Sequence, residues 1–132
     1  MTIMADPHIL KFDALRVLDR GNGVQTMPLA SKEIGAQRIT TGLTRFPPGA
    51  SIPLHSHNAE EQVTLLEGEA EVDIEGQRVR LRPYDTTYVP AGKPHRFINV
   101  GTAPMLILWV YGATVSGRTT PRSFHPTSLI GS

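Results

Sequence analysis

Residues 48–61 read PGASIPLHSHNAEE, and this stretch decides both the fold and the candidate site. One residue separates His55 from His57, so an extended strand would project both imidazoles from the same face. Glu61 follows four residues after the second histidine, beyond a short turn. Two imidazoles and a nearby carboxylate are ligands typical of transition metals. The stretch therefore predicts half of a metal site, and the rest of the chain must supply the other half.

The composition is that of an ordinary globular domain. Of the 132 residues, 39% are apolar, and 13 basic side chains balance 12 acidic ones to leave a net charge of +1. This balance argues against a nucleic-acid partner, and the longest apolar run, 105–111, is too short to span a membrane. The absence of cysteine excludes disulfides, thiolate zinc sites and iron–sulfur clusters. The N-terminus lacks a signal-peptide pattern, so we expect a single cytoplasmic domain.

Prolines and glycines divide the middle of the chain into short runs rich in β-branched and aliphatic residues. This spacing is typical of an all-β sandwich or barrel. The predicted strands cover 37–46, 51–57, 62–66, 69–74, 78–82, 86–89, 95–100 and 105–111.

The last of these runs is apolar throughout, which predicts a strand buried on both faces. Alternation leaves open which set of side chains faces the interior. The two sets are Met105, Ile107, Trp109 and Tyr111, or Leu106, Leu108 and Val110. We interpret Trp109 and Tyr111 mainly as core aromatics, although both can stack on an aromatic ligand.

Two neighbouring runs have matching charge patterns. Acidic residues alternate with apolar ones over 69–74, and arginines do so over 78–82. A two-residue loop at Glu75 and Gly76 would set each acid opposite an arginine. The predicted pairs are Asp73 with Arg78, Glu71 with Arg80, and Glu69 with Arg82. The arginines are therefore interpreted as a solvated ladder that fixes register, and not as a nucleic-acid-binding stripe.

The other half of the metal site is predicted after the turn at residues 90–94. His95 begins the next strand, with Phe97 and Asn99 on the same face. With Val63 and Leu65, on the same face as Glu61, these residues predict a partly apolar cavity. Arg45 is interpreted mainly as a surface residue, with pairing to an anionic substrate as the alternative. No residue is placed well enough to be assigned as general acid or base.

The spacing resembles that of the cupin superfamily. Its first signature motif is matched by Gly49, His55, His57, Glu61 and Gly68. Its second motif is matched by PAG at 90–92, followed by His95 and Asn99. The one departure is at position 84, where the family's second motif opens with glycine and this chain has tyrosine. The similarity covers about residues 37–112.

The resemblance implies a double-stranded β-helix, or jelly-roll barrel, over 35–112. We expect an N-terminal arm over 1–34 and an irregular C-terminal tail over 113–132. By the family pattern the metal ligands are His55, His57, Glu61 and His95. One divalent transition metal per chain is expected, with Fe, Mn, Ni, Zn, Co and Cu all compatible with these ligands. His8 and His125 are expected to be ordinary surface histidines.

Several functions are compatible with such a site. A metal-dependent enzyme acting on a small oxygen-rich molecule comes first, with dioxygenase chemistry ahead of isomerase, lyase, decarboxylase or polyketide-cyclase-like chemistry. A non-catalytic module that binds a small ligand is the second hypothesis, and a metal-free structural barrel is the third. The resemblance also implies a homodimer, in which the N-terminal arm can extend a partner's sheet.

Overall fold

The structure, a computed structural model, describes residues 6–112. Nine β-strands and two single-turn 3-10 helices (Phe12–Ala14 and Lys32–Ile34) account for its regular elements. The strands are β1 (Leu18–Gly21), β2 (Val24–Pro28), β3 (Thr40–Phe46), β4 (Glu61–Glu67), β5 (Ala70–Ile74), β6 (Gln77–Leu81), β7 (Thr86–Val89), β8 (His95–Asn99) and β9 (Met105–Tyr111).

The strands form two antiparallel sheets. The larger sheet has the order β1-β2-β3-β9-β4-β7, and the smaller has the order β6-β5-β8. Their facing side chains form one core, to which Val63 and Ile107 contribute from the larger sheet and Val72 and Phe97 from the smaller. The predicted all-β jelly-roll barrel is therefore confirmed. Within 6–112, no helix is long and apolar enough to cross a membrane.

Strand β9 occupies the centre of the larger sheet, between β3 and β4. The side chains at 105, 107, 109 and 111 face the core, which decides between the two alternatives for this strand. Leu106 is buried on the opposite face, against Met27 and Leu43. The prediction that this apolar run is buried on both faces is confirmed at Leu106, while Leu108 and Val110 on the same face are half-buried.

Trp109 is the largest fully buried side chain. Its indole ring lies over Gly42, directly opposite on β3. A Cβ atom at position 42 would lie 2.3 Å from the ring carbon Cζ2, so no larger residue fits there without movement. The interpretation of Trp109 as a core aromatic is confirmed.

The β5–β6 hairpin has the predicted register. Ala70 pairs with Leu81, Glu71 with Arg80, and Asp73 with Arg78. Ion pairs run both directly and diagonally across the hairpin. They join Arg78 to Glu71 at 3.3 Å and to Asp73 at 3.7 Å, and Arg80 to Glu69 at 3.1 Å. The partner predicted for Glu69, Arg82, lies past the end of β6, where its backbone N–H donates to Asp85.

The strand predicted over 51–57 is wrong. That segment makes only two isolated bridges, from Ser51 to Ile98 and from His55 to His95. Pro53 lies between the two bridges and has no backbone N–H with which to continue a ladder. The segment is nevertheless anchored to β8, the strand that carries the third histidine.

The N-terminal arm contains more structure than the sequence indicated. Strands β1 and β2 form a hairpin within 1–34, and β2 pairs with β3 of the same chain. The hairpin therefore extends the larger sheet at its edge. The tail predicted over 113–132, with His125, lies outside the described residues, while His8 is exposed as expected. The boundaries of the three predicted segments stay predictions.

Tyr84 lies in the turn between β6 and β7 with a φ of 76°. This is the left-handed region, which a tyrosine adopts only at a cost in backbone energy. The cupin pattern has glycine at this position, and glycine adopts such angles freely. The tyrosine at this position therefore strains the backbone only locally, in a surface turn that does not include any of the four predicted ligands.

Candidate metal centre

The bridge between the two motif segments brings the first and third histidines together. His55 and His95 exchange two backbone hydrogen bonds, at 3.1 and 2.8 Å, and their ring centroids lie 4.7 Å apart. The ring of His57 lies 4.8 Å from that of His55 and 5.6 Å from that of His95. One ligand atom from each ring falls within 4.8 Å of the others, and all three side chains are buried. The structure thus brings together the three predicted histidines.

Two backbone carbonyls orient two of these rings. Nδ1 of His55 lies 2.9 Å from the Pro53 carbonyl oxygen, and Nδ1 of His95 lies 2.8 Å from that of Lys93. A carbonyl oxygen only accepts hydrogen bonds, so each Nδ1 carries the proton and donates it. When such a ring is in its neutral form, its Nε2 atom has a lone pair that a metal can bind. Carbonyl partners of this kind are the usual second layer around histidine metal ligands.

Glu61 is the first residue of β4, and its carboxylate contacts the same cluster. Its Oε1 lies 2.6 Å from Nε2 of His95, with both side chains almost completely buried. Burial by itself lowers the pKa of His95, but the hydrogen bond and charge of Glu61, together with the Lys93 carbonyl, leave it raised overall. The structure therefore places the fourth predicted residue against the histidine cluster.

The donor chemistry of the cluster fits a divalent transition metal. Three imidazoles and a carboxylate, with no sulfur, suit the borderline ions from manganese to zinc. Their low exposure also favours a bound cation, because a buried carboxylate costs free energy unless positive charge compensates it.

Tyr111 is a neighbour of the cluster that the sequence did not assign to it. It lies directly opposite Glu61 on the adjacent strand, and its ring centroid is 4.3 Å from that of His57. The ring of Trp109 follows at 5.1 Å from Tyr111. The alternation of side chains along β9 could have identified Tyr111, but it did not decide which of two sets of side chains faces the interior.

Two other residues considered from sequence have structural roles. Asn99 donates to the carbonyls of Phe46 and Ala103 and accepts from the N–H of Gly101, so it joins loops at the end of β8. Arg45 stacks on the Phe12 ring at 5.9 Å, on the outer face of the larger sheet. Its interpretation as a surface residue agrees with this contact.

The comparison with known proteins agrees with this geometry. The Cupin_2 family, described as a cupin domain, matches residues 42–111, which is more than half of the chain. The chain belongs to the cupin family. Among solved cupin-like structures, the polyketide cyclase RemF from Streptomyces resistomycificus superposes with a TM-score of 0.76 at 18% identity, covering 91% of this chain and 89% of that one.

Two curated relatives resemble this cupin in sequence. Polyketide synthase CurC from Streptomyces cyaneus is 37% identical over 83 residues, covering 62% of this chain and 53% of the relative. Dimethylsulfoniopropionate lyase DddQ from Ruegeria pomeroyi is 37% identical over 84 residues, covering 62% of this chain and 39% of the relative. The chain therefore corresponds to about half, or less, of each of these two proteins.

Proposed function

We propose that this cupin is a metal-dependent enzyme acting on a small, oxygen-rich molecule. The observation that carries the proposal is the convergence of three buried histidines, two of which have Nδ1 held by backbone carbonyls. In the proposed centre His55, His57, His95 and Glu61 hold one divalent transition metal. A metal held by these four side chains would also have room to bind substrate oxygens.

A metal in this position supplies a Lewis acid for a carbonyl or enolate oxygen, or a binding site for O₂ if it is redox-active. The chain itself supplies the surroundings. Tyr111 and Trp109 form an aromatic wall beside His57, and Val63 and Leu65 continue it as buried apolar side chains on β4. A wall of this kind excludes water and strengthens electrostatic interactions with the substrate.

Ring closure of a polyketide-like substrate, or a related lyase reaction, is the reaction class that the relatives favour. CurC is named a polyketide synthase, as is TcmJ from Streptomyces glaucescens, which is 29% identical over 91 residues. Successive carbonyls of a polyketide provide paired oxygens that chelate a metal. Dioxygenase chemistry, the first expectation from sequence, is the second candidate, because a donor set of three imidazoles and a carboxylate also accommodates Fe²⁺.

A substrate panel distinguishes these reactions. Protein loaded separately with Fe²⁺, Mn²⁺, Ni²⁺ and Zn²⁺ is incubated with heptane-2,4,6-trione, a β-diketone, catechol and a flavonol. Product mass and oxygen consumption are both recorded. Loss of water from the trione without oxygen consumption supports ring closure, and oxygen uptake supports the dioxygenase. Tight ligand binding without turnover would instead favour the non-catalytic binding module.

We also infer that the protein is a homodimer. The N-terminal segment before β1 exposes several apolar side chains, with Ile9 at 86% exposure, Phe12 at 52% and Val17 at 51%. Burial of such side chains against a second copy would be favourable. Light scattering at micromolar concentration should give a mass near twice that of the 14.4 kDa chain. A monomer mass would contradict the inference.

A further inference from the structure

The His57 side chain packs against two other rings of the candidate site. The His55 ring meets it edge-on, with centroids 4.8 Å apart and 83° between the ring planes. The Tyr111 ring is closer, at 4.3 Å and 46°. The His57 backbone is held separately, because its carbonyl accepts a hydrogen bond from the Gly92 N–H at 2.6 Å. With the backbone fixed, the neighbouring rings limit how far the imidazole can rotate.

Tyr111 is itself held in place by the larger sheet. It lies on β9, the central strand, directly opposite Glu61 on β4 and opposite Thr40 on β3. Its side chain is buried. Since β9 has hydrogen-bonded neighbours on both sides, Tyr111 cannot shift away from His57 without disturbing the pairing of three strands.

Trp109 fixes the Tyr111 ring from a second direction. The two ring centroids lie 5.1 Å apart, with 33° between the planes. The indole N–H of Trp109 donates to the Thr44 hydroxyl at 2.9 Å, which fixes the orientation of the fully buried indole. The indole also fills the space over Gly42, where a Cβ atom would collide with it. Tyr111 therefore contacts a fixed indole ring as well as the imidazole.

We propose that Tyr111 is a positioning residue, whose ring holds the His57 imidazole in the orientation in which it binds the metal. The proposal rests on the proposed function, because it assumes a metal at the histidine cluster. Backbone carbonyls orient His55 and His95 in a corresponding way. Loss of a group that orients a metal ligand typically lowers metal affinity by about 10- to 100-fold. The aromatic ring of Tyr111 makes the contact with His57, so the ring and not the hydroxyl is the group required.

Replacements at two buried aromatic positions separate positioning from packing. Tyr111→Phe keeps the ring, whereas Tyr111→Leu removes it. Phe46→Leu is the matched control, because Phe46 is a fully buried aromatic residue of the same sheet. It pairs with Met105, at the end of β3 opposite to the pairing of Thr40 with Tyr111. Both leucine variants lose buried contacts and should be less stable, but only one loses a ring that touches His57.

The test uses Co²⁺ as the metal probe in the full-length chain. The visible absorption bands of bound cobalt report the geometry of its ligands, and competition with a chelator gives the cobalt affinity. Thermal unfolding of every variant is recorded without metal. Trp109→Phe is a further variant, which keeps a buried ring but removes the indole donor to Thr44.

We expect Tyr111→Phe to retain the wild-type cobalt spectrum and an affinity within about twofold of the wild-type value. Tyr111→Leu should shift the cobalt bands and lower the affinity about tenfold. Trp109→Phe should shift the bands in the same direction to a smaller extent. Phe46→Leu should lower the unfolding temperature and leave the spectrum unchanged.

A wild-type spectrum and affinity in Tyr111→Leu would overturn the proposal. If Tyr111→Leu gives no folded protein, a wild-type spectrum in Trp109→Phe overturns it instead. Equal impairment of Tyr111→Phe would assign the role to the hydroxyl, and an equal spectral change in Phe46→Leu would reduce the effect to general loosening of the barrel. Either result contradicts positioning by the ring. Failure of the wild type to bind stoichiometric cobalt overturns the proposed metal centre, which is a separate result.

Discussion

Two contacts between an acidic and a basic side chain in this cupin show how burial changes the role of the same chemistry. His95 and Glu61 lie 2.6 Å apart with side-chain exposures of 2% and 1%, whereas Arg80 and Glu69 lie 3.1 Å apart at 65% and 61%. The exposed pair is screened by water and contributes at most about 1 kcal/mol to stability. The buried pair has lost its hydration, a cost that its mutual attraction repays only in part.

The difference separates residues that specify the fold from residues that indicate function. Exposed charges on the β5–β6 hairpin, such as those of Arg80 and Glu69, select the strand register and tolerate replacement, because each contributes little to stability. Charges inside the barrel cost desolvation free energy, and apolar side chains in their place would stabilise the fold without that cost. Their presence next to three converging histidines supports the proposed metal centre.

The largest expected effect is the loss of metal when the buried cluster is broken. His57→Ala removes one imidazole from the proposed centre. Stoichiometric metal in the wild type should fall to near zero in the variant, measured by elemental analysis after gel filtration. His8→Ala is the control, because His8 is exposed and should leave the metal content unchanged. Equal metal in all three proteins would contradict the assignment of His57.

A smaller effect is expected when only the carboxylate is neutralised. Glu61→Gln keeps the shape of the side chain but removes the charge that faces His95. Metal affinity should fall by about 10- to 100-fold, whether the carboxylate binds the metal or only orients the imidazole. Glu69→Gln makes the same chemical change on the exposed hairpin and should have no effect. Competition with a chelator measures the metal affinity of both variants. Equal affinities would show that the buried carboxylate matters no more to the metal than the exposed one.

The strained turn before β7 allows a test of the surface alone. Tyr84→Gly should stabilise the protein by up to about 1 kcal/mol, because glycine adopts the left-handed backbone of this turn without strain. Tyr84 is 77% exposed, so few contacts are lost. Urea denaturation measures the change, and Tyr88→Gly, in the exposed part of β7, should destabilise instead. Destabilisation by Tyr84→Gly would show that the exposed ring makes a stabilising contact.

The smallest effect is expected at the exposed ion pair itself. Arg80→Gln should change the free energy of unfolding by less than about 0.5 kcal/mol, and by still less at high salt. Urea denaturation at low and high ionic strength provides the measurement. A loss of about 2 kcal/mol or more would mean that this surface pair contributes as much to the free energy of unfolding as a buried pair does.

The sequence predicted well those features that depend on neighbouring residues. The register of β5 and β6 follows from alternating charges on both sides of a two-residue loop, so it is encoded within a dozen residues. The histidine cluster could be predicted equally well, because two motifs with family-specific spacing identify its members. Membership of the cupin family confirms the fold that this spacing implied.

Features that depend on distant pairing could not be predicted. Sequence alternation gave 51–57 as a strand, but only its contact with β8 decides how much of a ladder it forms. The inward face of β9 was set by its neighbours β3 and β4 and not by its own apolar sequence.

The most direct test of the metal centre is a crystal structure of the purified protein with anomalous diffraction recorded at the absorption edge of the metal found by elemental analysis. We predict one anomalous peak per chain, about 2.0–2.2 Å from Nε2 of His55, His57 and His95. A fully occupied protein with its peak elsewhere, or a protein without stoichiometric metal after supply of every candidate ion, would contradict the account.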